Sequence, residues 1–170
     1  MGLFNKLFVN KTAATSIKTE QGIVYLPMNG EIIPLENIED GVFSEGLLGP
    51  GCGIIPAEEM VYSFVNGTIL TIASTKHAIG IRSEEGVELL LHIGMDTVEM
   101  KGKPFKVSVE VGQRVKCGDL LMSFDSKQIK GAGFVTTSAF VITNGDEFKS
   151  VELLATGLRE KLTPCLKVER

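Results

Sequence analysis

Between Gly22 and Val168 the chain is broken by glycine at short intervals, and this punctuation constrains its fold more than any other feature. Almost no stretch in that span repeats its apolar residues every 3.6 positions for long enough to make an ordinary helix. Between the glycines lie short runs of aliphatic and β-branched residues, which read as strands closed by tight turns. The candidates are 22–26, 31–34, 53–55, 61–64, 68–73, 78–82, 87–93, 120–124, 139–143 and 166–169. Only 96–100, 126–131 and 147–150 have the composition of short helical turns. With 19 glycines and no tryptophan, the pattern predicts an all-β fold, an antiparallel β-sandwich or partly closed barrel of short strands.

Two internal echoes sharpen this reading. Asn29-Gly30-Glu31-Ile32 recurs as Asn66-Gly67-Thr68-Ile69, a turn feeding a strand in each case. Val111-Gly112-Gln113-Arg114-Val115-Lys116-Cys117-Gly118-Asp119 has the spacing of a tight turn with glycine where positive φ is needed. That spacing resembles the hammerhead of lipoyl-type β-sandwich hybrids. No lysine sits in a hairpin suited to carrying a lipoyl or biotinyl group, so the motif speaks to fold alone.

A chain of 170 residues is long enough for one well-buried core and shows no linker, so 21–170 is expected to form a single domain. Lysine and arginine total 17 against 21 acidic residues, a net charge of −4 with no basic run, which argues against a nucleic-acid surface. Cys52, Cys117 and Cys165 are odd in number, widely spaced and free of any CxxC, the usage of reduced thiols and not of a disulfide framework. No apolar run approaches the roughly 20 residues of a membrane helix, and no signal-peptide pattern opens the chain. The expected location is cytoplasmic, with peripheral contact at the inner membrane face left open. Nothing in the pattern demands a dimer. Residues 1–20 stand apart as a flexible or amphipathic segment: Leu3, Phe4, Leu7 and Phe8 would share one helical face. Myristoylation would require Ser or Thr at position 6, which is lysine.

The chain has two histidines, His77 and His92. Ser83-Glu84-Glu85-Gly86, between two strand candidates, are turn formers. A hairpin closed by Arg82 and Val87 would set residue 77 directly opposite residue 92, with Cβ atoms roughly 4.5–5.5 Å apart on one face. Alternation gives His92 the company of Glu88 and Leu90, so the ring has a largely apolar neighbour, and desolvation there favours neutral imidazole. A neutral nucleophilic nitrogen needs its tautomer set by a hydrogen bond at the other ring nitrogen. A backbone carbonyl in the 93–97 turn can serve His92 in this way, and Thr75 can orient His77. Two such rings admit three uses: phosphoryl transfer through a phosphohistidine, zinc binding with further ligands, or a structural cap on the sandwich.

At this point the residues carry a family resemblance. Thr75-Lys76-His77-Ala78-Ile79-Gly80-Ile81, then Gly86-Val87-Glu88-Leu89-Leu90-Leu91-His92-Ile93-Gly94-Met95-Asp96-Thr97-Val98-Glu99-Met100-Lys101-Gly102, Phe105 and the 111–119 motif resemble the glucose-family IIA component of the bacterial phosphotransferase sugar-uptake system. The likeness covers roughly residues 18–170. It implies an antiparallel β-sandwich of the duplicated hybrid-motif type. It implies that His92 accepts a phosphoryl group through Nε2 from the small carrier HPr and passes it to a cysteine of a IIB domain. His77 would be the phosphoryl-stabilising neighbour, with Thr75 and Asp96 in supporting positions. Residues 40–48, with Val42, Phe43, Leu47 and Leu48, resemble the family's apolar docking rim, to which Leu90 and Asp96 are added. No cofactor is required; a zinc ion on His77 and His92 at a partner interface, and regulatory target proteins, are further expectations. Three departures stand out. Ser63-Phe64-Val65-Asn66-Gly67 replaces a common Ala-Pro-x-Asp-Gly corner, which asparagine should preserve. Gly41 replaces a bulkier rim residue. Cys52 lies outside the phosphorylation motif and reads as a small buried residue.

Two rivals come from other classes. His92-Ile93-Gly94-Met95-Asp96 matches the His-x-Gly-x-Asp ligand motif of lysostaphin-type zinc peptidases, but those enzymes need a later His-x-His and no histidine follows His92. A zinc-bridged interaction module, with two imidazoles from this chain and one carboxylate from a partner, satisfies the usual zinc ligand count.

Overall fold

The computed structural model describes residues 17–170; the amphipathic pattern at Leu3, Phe4, Leu7 and Phe8 lies outside them. The strands in chain order are β1 (Ile23–Tyr25), β2 (Gly30–Pro34), β3 (Gly51–Pro56), β4 (Met60–Tyr62), β5 (Gly67–Ile72), β6 (Ala78–Ser83) and β7 (Glu88–His92). They continue as β8 (Phe105–Val107), β9 (Arg114–Val115), β10 (Leu120–Phe124), β11 (Ser138–Ile142), β12 (Ser150–Leu153), β13 (Gly157–Arg159) and β14 (Pro164–Glu169). Eight of them form one sheet in the order β13-β2-β3-β11-β7-β6-β5-β9, and two three-stranded sheets, β1-β14-β12 and β4-β10-β8, complete the fold. All pairings are antiparallel. The sheets are not closed into a barrel, so the sandwich alternative of the sequence reading is the one that holds.

The ten strands read from sequence are all present, with ends shifted by a few residues. Four were missed: β8, β9, β12 and β13. These are two to four residues long and have only one or two buried or half-buried residues each, so their alternation is too short to register. The helical turn expected at 147–150 is displaced: Gly145–Glu147 is a 3-10 turn and Ser150 already begins β12. Residues 126–131 form an α-helix whose N-cap, Asp125, accepts from the Gln128 N–H, and Thr97–Met100 is a 3-10 turn.

The repeated Asn-Gly has a packing reason. A Cβ on Gly30 would lie 2.6 Å from the Ile55 carbonyl oxygen, and one on Gly67 would lie 2.2 Å from that of Arg82. Glycine is the residue that lets these strands begin so close to a neighbouring backbone. The preceding asparagines act alike: Asn29 Oδ1 accepts from the Lys161 N–H at 2.7 Å, and Asn66 Oδ1 accepts from the Cys117 N–H at 2.8 Å. The Asn66 corner therefore survives its departure from the family pattern. In the 111–119 motif, Gly112 and Gly118 have φ of +89° and +98°.

A main core fills the space between the sheets, including Phe64 and Phe140 in edge contact at 4.8 Å. A smaller core of Leu35, Ile38, Phe43, Met95, Ala139 and Val141 lies on the other side of the large sheet. It seats the 35–49 segment against β3, β11 and β7, and so builds one wall of the site. Cys52 is fully buried as expected, with its Sγ 3.7 Å from that of Cys165.

Candidate functional site

The hairpin joining β6 and β7 differs in register from the sequence expectation. Arg82 pairs with Glu88 and Ala78 with His92, so residue 78, not 77, stands opposite His92. The reason is the turn. Ser83 donates its N–H to the Val87 carbonyl, Gly86 donates to that of Ser83, and Gly86 has φ of +85°. This is a three-residue loop, 84–86, ending in a left-handed glycine, where a four-residue loop was expected.

A one-residue slip should turn His77 to the far face of the sheet, yet the rings meet. Their centroids are 4.8 Å apart and their planes cross at 78°. His77 precedes β6 and follows Lys76, whose φ is +61°. That left-handed step ends strand alternation and leaves the His77 ring free to lean over His92. The Ile93 N–H still donates to the His77 carbonyl at 2.7 Å, so the backbone ladder persists while the side chain departs from it.

Each ring is held at one nitrogen. His92 Nδ1 donates to the Gly94 carbonyl at 2.8 Å, which puts the ring proton on Nδ1 and leaves the Nε2 lone pair free. His77 Nδ1 lies 2.7 Å from Thr75 Oγ1; with the hydroxyl donating, the ring keeps a proton on Nε2. Burial lowers the pKa of both. For His77 the neighbouring His92 lowers it further. For His92 the burial effect is opposed by the Gly94 carbonyl and by the Asp40 and Asp96 carboxylates. Both rings are thus disposed to be neutral near pH 7.

His92 sits at the edge of an open depression walled by Asp40, Phe43, Leu48, Leu90, Met95 and Asp96. Asp40 organises one wall: its two carboxylate oxygens accept from the Phe43 and Ser44 N–H groups at 2.8 and 3.0 Å. Burial alone would raise its pKa, but these donors outweigh it and hold the carboxyl below its ordinary value. Of the expected rim residues, Val42, Leu47 and Leu48 are exposed and Leu90 is half-buried. Phe43 corrects the expectation: it is buried, 6% exposed, and its ring packs on His92 at 5.1 Å. It shapes the histidine pocket and offers a partner almost nothing. Exposed Val98, missed in the sequence, completes the apolar rim. Asp96 is exposed with φ of +61°.

Two adjacent imidazoles supply two of the three or four ligands that zinc takes. Among the described residues no cluster of three or more His, Cys, Asp or Glu side chains could hold a metal. Zinc would therefore need a further ligand from outside the described residues. The arrangement suits nucleophilic attack by a neutral nitrogen beside a neutral N–H donor.

The phosphoenolpyruvate-dependent sugar phosphotransferase system EIIA 1 family model matches residues 22–148. The chain is 40% identical over 152 residues to a glucose-specific EIIA component of Staphylococcus epidermidis, covering 89% of each. It is 45% identical over 146 residues to a glucose-specific EIICBA component of Streptococcus pneumoniae, covering 86% of this chain and 20% of that protein. The chain spans a fifth to a quarter of the length of the fused EIICBA and EIIBCA relatives it matches. Glucose permease IIA from Mycoplasma capricolum superposes with a TM-score of 0.78 at 36% identity, covering 85% of this chain and 93% of that one.

Proposed function

The chain belongs to the phosphoenolpyruvate-dependent sugar phosphotransferase system EIIA 1 family, and on that premise we propose that it is a cytoplasmic phosphocarrier between HPr and a IIB domain, with His92 as the phosphoryl acceptor. The observation that carries this is the His92 Nδ1–Gly94 hydrogen bond beside the second imidazole. It leaves one nucleophilic nitrogen, Nε2, on a ring whose centroid lies 4.8 Å from that of the second imidazole.

HPr docks on the apolar rim and expels water from the depression. Phosphoryl transfer demands in-line positioning and compensation of charge on the transferred oxygens. As His92 Nε2 bonds to phosphorus, the N–P bond to HPr breaks and its electron pair returns to the HPr ring. His77 Nε2–H donates to the group, which carries about 1.5–2 negative charges at neutral pH. The Asp40 and Asp96 carboxylates repel phosphate; their role is to meet basic residues of the partners. A IIB cysteine thiolate then attacks the same phosphorus opposite His92 Nε2; as the S–P bond forms, the Nε2–P bond breaks and its electron pair returns to the His92 ring. The fused relatives that carry IIB beside IIA in one chain support that destination.

The test is transfer from labelled phosphoenolpyruvate through enzyme I and HPr. Wild-type protein and the His77→Ala variant should take up acid-labile, base-stable label, and His92→Ala should take up none. Label retained on His92→Ala would sink the assignment.

The two adjacent rings also favour a second reading, a zinc ion bridged to a partner carboxylate. Phosphorylation of His92 would remove one of its ligands, so zinc should tighten binding of a regulatory partner only to unphosphorylated protein. Equal tightening of both forms would exclude the switch.

A further inference from the structure

We propose that Ser138 and Thr97, whose hydroxyls bond to backbone and to neither imidazole, are positioning residues that set the tautomer of His92 through the peptide on either side of Gly94. This rests on His92 being the phosphoryl acceptor. Both side chains are fully buried, and both spend their hydroxyls on one peptide unit. The Gly94 N–H donates to Ser138 Oγ at 3.2 Å, and Thr97 Oγ1 donates to the Ile93 carbonyl at 2.5 Å. The Ser138 hydroxyl donates in turn to the Thr136 carbonyl at 2.9 Å, so its proton is committed and its lone pair faces Gly94.

The 93–94 peptide is therefore pinned at both ends by side chains. The next peptide, 94–95, is pinned at its N–H, where Met95 donates to the Val135 carbonyl at 3.3 Å. Its other end is the Gly94 carbonyl, the acceptor for His92 Nδ1. The hinge between the two planes is Gly94, with φ of +74°. Fixing the first plane fixes the direction in which the second presents its oxygen. Without Ser138 the Gly94 N–H loses its buried acceptor, the hinge can turn, and the carbonyl that holds the His92 proton on Nδ1 swings away.

Placement supports a dedicated role. Ser138 opens β11, and its neighbour Ala139 pairs with His92 in the ladder. Thr97 opens the 3-10 turn that follows left-handed Asp96. The hydroxyls thus reach the hinge from two separate elements, both shielded from solvent.

The test reads nitrogen shifts of His92 in unphosphorylated full-length protein and, separately, the rate of phosphoryl acceptance from HPr. Ser138→Ala and Thr97→Val should raise the Nε2–H tautomer and slow acceptance roughly tenfold. Ser138→Thr and Thr97→Ser, which keep a hydroxyl, should restore much of both. Ser63→Ala is the control for mere loss of a buried hydroxyl, because Ser63 is equally buried and donates to the Val65 carbonyl at 2.7 Å away from the site. It should lower stability and leave the tautomer alone. An unchanged His92 tautomer in Ser138→Ala and Thr97→Val, or a rate loss no larger than that of Ser63→Ala, overturns the proposal. The tautomer is read without any phosphoryl donor, so failure of wild-type protein to accept phosphate would count against the carrier function and not be confused with this result.

Discussion

His92 and His77 are neighbours, but the chain holds them by different means. His92 ends a strand in the middle of the eight-stranded sheet, and its Nδ1 partner is a backbone carbonyl in a turn braced by buried Ser138 and Thr97. His77 lies in the 73–77 connection, and its Nδ1 partner is Thr75, two residues away and only half-buried. One ring is oriented by the tertiary fold and the other by its own loop. The difference matches the division of labour proposed for them. A nucleophile must present one nitrogen in one direction, whereas a donor that serves both an incoming and an outgoing phosphoryl group gains from some freedom.

The comparison can be broken at several points. The largest effect is expected at Gly94, where a Cβ would fall 2.5 Å from Thr97 Cγ2 and 2.8 Å from the Val135 carbonyl oxygen. With a left-handed backbone as well, Gly94→Ala should cost about 2–4 kcal/mol in urea unfolding and disable acceptance. Leu47→Asp or Val98→Asp, at exposed rim positions, should weaken HPr binding by calorimetry roughly tenfold while stability stays within about 0.5 kcal/mol. His77→Gln keeps a neutral donor and should accept phosphate at close to the normal rate but deliver it to IIB several-fold more slowly. Equal slowing of both steps would erase the asymmetry between the rings. Thr75→Val should slow delivery about threefold and leave the His92 tautomer as it was, since only the loop-held ring loses its partner.

The smallest effect is in pH. Both histidines have lowered pKa values, so acceptance should persist as pH falls to about 6.5 and decline only below that ordinary value. The same shift has a stability consequence. As pH falls below about 6.5 the unfolded chain takes up protons that the native rings refuse. The stabilising contribution is therefore complete above that pH and lost progressively as pH falls through the lowered native values. His77→Gln should shallow this slope in acid-titrated unfolding; an unchanged slope would mean that the shift at His77 carries no free energy.

The sequence made the sandwich legible because glycine corners and two-residue alternation are local signals. Strands such as Arg114–Val115 and Gly157–Arg159 were not legible, because two or three residues held mainly by their neighbours have no pattern of their own. The pairing of His77 with His92 was anticipated from a register that proved one residue off. Position 86 was read as the last residue of a four-residue loop, when its left-handed conformation closes a three-residue one. The rings meet because Lys76 breaks alternation, which no spacing rule announces. The Gly94 carbonyl and Thr75 contacts were readable, since each partner lies two residues from its histidine. Ser138, 44 positions from Gly94, was not. Phe43 reads as a rim residue because residues 40–48 resemble the family's docking rim, and that resemblance gives no hint that a second small core lies beneath it.

The most direct measurement is nitrogen–phosphorus coupling in the phosphorylated protein, with histidines labelled at both ring nitrogens. The expected result is one-bond coupling from phosphorus to Nε2 of His92, with Nδ1 of the same ring still protonated. Phosphorus bonded to Nδ1 of His92, or to either nitrogen of His77, would contradict the claim that the Gly94 carbonyl selects the reacting atom.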